Sequence, residues 1–207
     1  MNKNRSVLIL IRFYNGRFHA CKNSLISKLS IIHNYNGRVI GMASQIQCDS
    51  KTWNDHDWLA LIDFYNEEEA TRFICGCPDI RQFDWLDGVD IIMISGYKEL
   101  DTSKRWISLS YNDDNNQCLI DCKCVTPINE TIQEYGGDLI ILPNNKIENI
   151  RGLWNISSMF AAQWENADQF QKFQNDGKCK ELNGTTILLC KVIQLGEIKG
   201  KFNEIDY

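Results

Sequence analysis

The sequence predicts an α+β fold in which two ferredoxin-like β-α-β-β-α-β repeats are fused into a barrel-like pseudo-dimer. Three observations predict it. The segment Tyr35-Asn36-Gly37-Arg38-Val39-Ile40 returns one hundred residues later as Tyr135-Gly136-Gly137-Asp138-Leu139-Ile140. Phe64-Tyr65-Asn66, followed by Glu69 and Phe73, returns at the same offset as Trp164-Glu165-Asn166, followed by Gln169 and Phe173. Leu86-Asp87-Gly88 ahead of an apolar run matches Leu182-Asn183-Gly184 ahead of another, with the offset now 96. Three matches in one order mark a tandem duplication, and internal repetition constrains the fold more than any local pattern does.

Within the first copy, the unbroken apolar run over residues 7–11 suits a strand buried on both faces. Leu25, Leu29 and Ile32 recur at helical spacing, and Gly37 supplies the stop. Residues 38–46 read as a second strand. Residues 58–64 alternate, with Trp58, Ala60, Ile62 and Phe64 on one face and Leu59, Leu61 and Asp63 on the other. Asn66 caps a helix, with Glu69 in the capping-box position and Ala70, Phe73, Ile74 and Cys77 as its apolar stripe. Pro78 ends that helix, and Asp87-Gly88 turns the chain into a last strand over residues 89–95.

The second copy repeats these elements from Trp106. Its first helix is expected from Thr126, with Pro127 in the first turn, where a missing N–H costs nothing. Strands follow over residues 139–142 and 153–162, then a helix capped by Asn166 and a strand over residues 185–193. The expected division is 1–97 and 105–194 for the two repeats, 98–104 for the linker and 195–207 for a tail. Each repeat is the split β-α-β unit, with helices on one face of its sheet and an apolar face left over. Packing the two sheets together covers both faces, so neither half need be stable alone.

Composition narrows the function. A net charge of −5 with scattered Lys and Arg argues against a nucleic-acid partner. No apolar run approaches the roughly 20 residues that span a bilayer, so a soluble, cytoplasmic protein without a membrane partner is expected. Nine cysteines cannot all pair within one chain. The Cys75/Cys77 and Cys122/Cys124 pairs lack nearby histidines to complete a zinc site, so no metal is expected. A phosphate-binding glycine loop, a dinucleotide fingerprint, HExxH and a nucleophile elbow are all missing from the sequence. No cofactor is therefore expected.

The stretch Ile62-Asp63-Phe64-Tyr65-Asn66-Glu67-Glu68-Glu69-Ala70, then Cys77-Pro78-Asp79-Ile80, resembles the acidic-Phe, capped helix and following turn of the uncharacterised bacterial family known as domain of unknown function 1330. Tyr135-Gly136-Gly137 resembles that family's Gly-Gly before its second strand. The resemblance implies the dimeric α+β-barrel superfamily, which also holds antibiotic-biosynthesis monooxygenases, muconolactone-isomerase-like enzymes, polyketide cyclases and haem-degrading oxygenases. Its motifs speak for fold more than for activity. The haem-degrading members carry a histidine on the second helix of the repeat, and neither second helix here has one, which counts against haem. The second copy has Gln163 in place of Asp63, and Lys178-Cys179 in place of the Cys77-Pro78 turn.

Asp63 is the sharpest candidate, an acid on an apolar strand face where desolvation favours general acid or base work. The alternative is an acid solvated at the strand's end or paired with an arginine such as Arg12. His19, His56 and Tyr14 are its candidate assistants, and His33 reads as helix surface. Trp58, Phe64, Trp164, Tyr35 and Arg12 are the candidate ligand-binding residues, suited to a planar, mostly apolar molecule. The expected function is a cofactor-independent enzyme acting on a polyketide-like, quinone or other aromatic compound by proton transfer, isomerisation, cyclisation or oxygenation. The alternative is a non-catalytic ligand-binding or protein-interaction module. The expected state is a monomeric pseudo-dimer, with further association left open.

Overall fold

Seven consecutive buried residues, Val7–Phe13, form the central strand β1 of the first half. The computed structural model describes residues 5–14, 23, 25–48, 53–54, 57–76, 89–113, 122–176 and 185–194; for residues 44, 45, 113 and 122–126 it describes the backbone alone. After β1 come α1 (Leu29–Asn34), β2 (Arg38–Cys48), β3 (Trp58–Phe64), α2 (Glu67–Thr71) and β4 (Val89–Ser95). The second half holds β5 (Trp106–Asp113), α3 (Cys122–Glu134), β6 (Asp138–Ile141), β7 (Lys146–Arg151), β8 (Ile156–Trp164), α4 (Ala167–Gln174) and β9 (Thr186–Gln194).

The strands make one antiparallel sheet in the order β6-β8-β5-β9-β2-β3-β1-β4-β7. Two four-strand blocks of the same topology, β4-β1-β3-β2 and β9-β5-β8-β6, are visible in it, joined where β2 pairs with β9 from Gly41↔Gln194 to Cys48↔Leu188. Strands β6 and β7 stand at opposite ends of that order yet are joined by residues 142–145. The sheet therefore curls until its ends meet. The Lys98 N–H donates to the Ile140 carbonyl at 2.8 Å, and Asn145 Nδ2 donates to the Ser95 carbonyl at 2.9 Å.

Strand alternation sorts the side chains into three apolar layers. Leu8, Leu10, Leu59, Leu61, Ile92 and Ile94 of the first half meet Ile107, Leu109, Met159, Leu188 and Cys190 of the second inside the curl. Val7, Ile9, Ile11, Ala60, Ile62 and Phe64 face the first pair of helices with Ile32 and Phe73. Phe160, Ala162 and Trp164 face the second pair with Ile132, Phe170 and Phe173. The alternation expected for residues 58–64 is the one observed.

The duplication is equally plain in local chemistry. Asn66 accepts from the Glu69 N–H at 2.9 Å, and Asn166 from the Gln169 N–H at 3.0 Å, so both second helices carry the same cap. The rings of Phe64 and Phe73 lie 5.4 Å apart, and those of Trp164 and Phe173 lie 5.3 Å apart. Gly37 and Gly137 sit under these aromatics. A Cβ at either would lie 2.6 Å from the Phe64 or Trp164 ring. The repeated Tyr-x-Gly is a packing device.

Three features depart from expectation. Strand β7 lies outside the expected set, because Lys-Ile-Glu-Asn-Ile-Arg is a polar, partly exposed edge with only two apolar residues. Helix α3 starts at Cys122, which places Pro127 in its second turn instead of its first; Thr131 Oγ1 caps the Pro127 carbonyl at 2.8 Å. Helix α2 passes into a π-helical turn over Arg72–Gly76, which keeps Ala70 and Phe73 buried but leaves Ile74 at the margin. The Cys77-Pro78 turn, the Asp87-Gly88 turn and Lys178-Cys179 lie outside the described residues.

Gly37→Ala and Gly137→Ala are each expected to lower stability by about 1–3 kcal/mol through overpacking. Equal losses at the two positions, measured by chemical denaturation, are the outcome expected of a duplicated core.

Candidate functional site

Asp63 lies on the interior face of β3, as its alternation with Leu59 and Leu61 requires, and is fully buried. It is held by a fork of cations. Arg38 reaches Oδ2 at 2.5 Å through NH2 and Oδ1 at 3.2 Å through Nε, and Arg5 NH1 lies 3.0 Å from Oδ1. The Tyr97 hydroxyl donates to Oδ2 at 2.9 Å. The bond to Asp63 raises the Arg38 guanidinium further. Burial, then the Asp63 charge, pushes the Tyr97 phenol far above its usual range. Asp63 therefore pairs with arginines other than Arg12.

Its counterpart shows why the second copy has no acid. Arg38 is the cross-strand partner of Asp63, whereas Asp138 is the partner of Gln163. An acid at 163 would face a like charge, which destabilises a sheet pair. Gln163 instead accepts from the Asp101 N–H at 3.0 Å, and Asp138 pairs with Lys104 at 2.7 Å. Positions 63 and 163 thus hold two points of the connection between the halves, Tyr97 and Asp101. A shallow surface cleft, open to solvent, lies beside it, lined by Ile40, Leu100, Lys104, Ile107 and Val192.

Arg12 and Tyr14 occupy the other end of the barrel. In the β1–β3 register Leu8 opposes Asp63 and Arg12 opposes Leu59, so roughly 13 Å of strand separates Arg12 from Asp63 at ~3.3 Å per residue. Arg12 NH2 lies 2.8 Å from Asp57 Oδ2. The Tyr14 hydroxyl donates to Asp90 Oδ2 at 2.6 Å, and the Leu153 N–H donates to Asp90 Oδ1 at 2.7 Å. Burial first, and then the bond to Asp90, pushes the Tyr14 phenol up to about 12. The structure therefore separates Asp63 from Tyr14 and Arg12. His19 and His56 lie outside the described residues, and His33 is exposed on α1.

The aromatic candidates are packing residues of the two sheet–helix layers. Phe64 and Trp164 are fully buried beneath the helices, Trp58 is partly buried in the first layer, and Tyr35 stacks edge-on to Phe73 at 6.2 Å. Sequence reasoning missed a different group. The helix-facing residues of β1 are Val7, Ile9, Ile11 and Phe13, but those of β5 are Trp106, Ser108, Ser110 and Asn112. Phe13 opposes Trp58 in the first half, and at the matching place Asn112 opposes Ser158 in the second. Bulk has moved to the other end of this layer, where Trp106, Phe160 and Trp164 replace Val7, Ala60 and Phe64. Trp164 Nε1 donates to Ser108 Oγ there at 2.9 Å.

Asn112 and Ser158 are each 3% exposed, and neither Asn112 Nδ2 nor Ser158 Oγ has a partner among the described residues. Buried polar atoms are almost always satisfied, so two orphans on adjacent strands set this part of the layer apart from its apolar counterpart in the first half. A β-bulge follows at once, as Asn112↔Ser158 gives way to Asp113↔Ile156. Bulges of this kind gather beside functional sites.

Two outcomes follow from these contacts. Asp63→Asn is expected to cost about 2–3 kcal/mol, because it strands Arg5 and Arg38, with the loss moderated by the exposure of Arg38. Denaturant titration checks it. Tyr14 has a raised folded-state pKa, so its contribution is complete below its usual value of 10.0 and is lost as pH rises through about 12. Tyr97 adds to the same alkaline loss. Tyr14→Phe is expected to flatten part of the fall in stability above pH 10, read from denaturation midpoints across the alkaline range.

No family model matches the sequence, and no curated protein is similar to it at the sequence level. Solved structures are similar to it along their whole length. A variant chlorite dismutase from Candidatus Nitrospira defluvii matches with a TM-score of 0.53 at 10% identity, covering 98% of this chain and 97% of that one. A heme-binding protein from Thermus thermophilus matches at 0.52 and 10% identity, covering 96% of each chain. A proposed monooxygenase from Lactobacillus acidophilus matches at 0.50 and 11% identity, covering 92% of this chain and 94% of that one. Haem iron needs an axial His, Cys, Met or Tyr. All three histidines lie within the first 56 residues, and no described imidazole faces either sheet–helix layer. Phe64 and Phe73 pack in the first layer, and Trp164, Phe170 and Phe173 in the second. The described residues therefore offer no histidine for a haem iron in either layer. At these identities the likenesses show the fold alone, a dimeric α+β barrel built within one chain.

Proposed function

We propose that this protein binds a small, mostly apolar carbonyl compound between the sheet and the helices of its second half, and acts on it without a cofactor. The observation that carries this reading is the pair of buried, unpartnered groups Asn112 Nδ2 and Ser158 Oγ, standing where the first half has Phe13 and Trp58. Both groups can donate, so the complementary ligand atom is an acceptor oxygen. Phe160, two residues from Ser158 on the same face of β8, suits the body of a polyketide-like, quinone or other aromatic compound.

Two donors on a carbonyl oxygen stabilise the enolate that forms when hydroxide takes the adjacent proton and leaves as water. Enolisation is the shared first step of isomerisation and cyclisation, which is why those reactions, and not phosphoryl or acyl transfer, fit the site. Asp63 serves in this reading as the anchor of the closed end. The repeats take the bounds 1–97 and 105–194, and the acidic-Phe and capped-helix motif supports kinship with the domain of unknown function 1330. A non-catalytic binding module is the second reading. It is favoured by the interior carboxylates Asp57, Asp63 and Asp90, each of which is engaged by a described arginine or tyrosine.

The test uses 1-tetralone, an aryl ketone with exchangeable protons beside its carbonyl. An enzyme should speed deuterium exchange at that carbon, and Asn112→Leu should abolish both binding and exchange. Binding without exchange selects the module. Asn112→Leu and Ser158→Ala remove uncompensated buried groups, so each should raise stability by about 1–3 kcal/mol in thermal melts. Undiminished ketone binding by the double variant would overturn the proposal.

A further inference from the structure

The barrel interior is apolar along most of its length and changes character at the end that carries Arg12. Trp53, Tyr111 and Trp154 meet there edge to face, with ring centroids 5.4 Å apart for Trp53–Trp154 and 5.6 Å for Tyr111–Trp154. The Trp53 indole donates to the Tyr111 hydroxyl at 2.6 Å. Arg12 lies 4.1 Å from the centre of the Trp53 ring, a cation–π contact, and holds Asp57 Oδ2. That oxygen also accepts from the Asn54 N–H at 3.2 Å.

Two polar atoms of this cluster have no partner among the described residues. One is Asp57 Oδ1, in a residue 1% exposed, and the other is Trp154 Nε1, in a residue 4% exposed. The first can only accept from a neutral partner's N–H or O–H, and the second can only donate. An acceptor and a donor are thus left open on either side of the Trp53 ring, and a single group that is both at once would answer each. A hydroxyl is the smallest such group.

We propose that this end of the barrel is a second small-molecule site, which takes a hydroxylated aromatic compound. Its hydroxyl donates to Asp57 Oδ1 and accepts from the Trp154 indole N–H, while its ring packs against Trp53 and Tyr111. Aromatic walls favour a ring over an aliphatic chain of equal size through edge-to-face contacts. The site is distinct from the one at Asn112 and Ser158 and does not depend on it. Tyr111 and Asn112 are neighbours on β5 and point to opposite faces of the sheet, so the sheet itself lies between the two.

The test is a titration of the full chain, labelled with ¹⁵N, in which the indole N–H resonances are followed. Trp154→Phe keeps a ring, removes the N–H, and identifies the Trp154 resonance by its loss. Phenol is expected to shift that resonance saturably, whereas toluene, which lacks the hydroxyl, leaves it in place. Trp154→Phe is expected to weaken phenol binding at least tenfold. Asp57→Asn should do the same, but it strips Arg12 of its partner and can unfold the chain, so Trp154→Phe carries the argument. A Trp154 resonance indifferent to phenol would mean that water alone fills the gap. A response to toluene equal to that with phenol would mean an apolar void. Either result overturns the proposal, as does unchanged phenol binding by Trp154→Phe.

Discussion

The pairing of β2 with β9 is the contact on which the rest of the molecule depends. It is the seam between two copies of one unit, and it turns two four-strand sheets into a single curl. Gly41 marks how close the approach is, because a Cβ there would run into the Ile193 carbonyl. Behind the seam, Leu8, Leu10, Leu59 and Leu61 pack on Ile107, Leu109, Leu188 and Cys190. Burial pushes the Cys190 thiol up to about 12, which leaves it an inert filler. Separating the halves would expose this layer to water, at ~25 cal/mol for each Å² of apolar surface uncovered. The two repeats are bound into one cooperative unit by that shared layer.

A duplication of this kind frees one copy to change. The first sheet–helix layer is closed by apolar residues throughout, from Val7 to Phe13 on its central strand. The second keeps the aromatic anchor, the glycine beneath it and the helix cap, but places Ser108, Ser110, Asn112 and Ser158 on the sheet. Polar groups buried there cost stability that an apolar layer would keep, and the proposed site rests on them. Charge differs as well: Arg38 stands opposite Asp63 in the first half and Asp138 opposite Gln163 in the second, where Lys104 pairs with Asp138.

Much of this was legible in the residues. The repeat, the β-α-β-β-α-β order, the two faces of residues 58–64 and both asparagine caps follow from spacing and local chemistry, which act over a few residues. The partners of Asp63 were not legible, because Arg5 and Tyr97 reach it from distant parts of the chain and only the sheet register brings them together. Strand β7 escaped because its pattern is that of a polar edge. Asn112 and Ser158 did leave a signal. Trp106-Ile107-Ser108-Leu109-Ser110-Tyr111-Asn112 alternates strictly, whereas the aligned Val7–Phe13 is apolar on both faces except for Arg12. Setting the two copies side by side, strand against strand, exposes the difference.

The central claim is that one shared core makes the two halves fold as one. Native-state hydrogen exchange read at the amides of Met42 and Ala43 in β2 and of Val192 and Ile193 in β9, alongside those of β1 and β5, tests it most directly. The account predicts that the protected amides of all four strands exchange through a single global opening with one free energy and one dependence on denaturant. Exchange of β5 and β9 through a separate, lower-energy opening while β1 and β2 stay protected would contradict it.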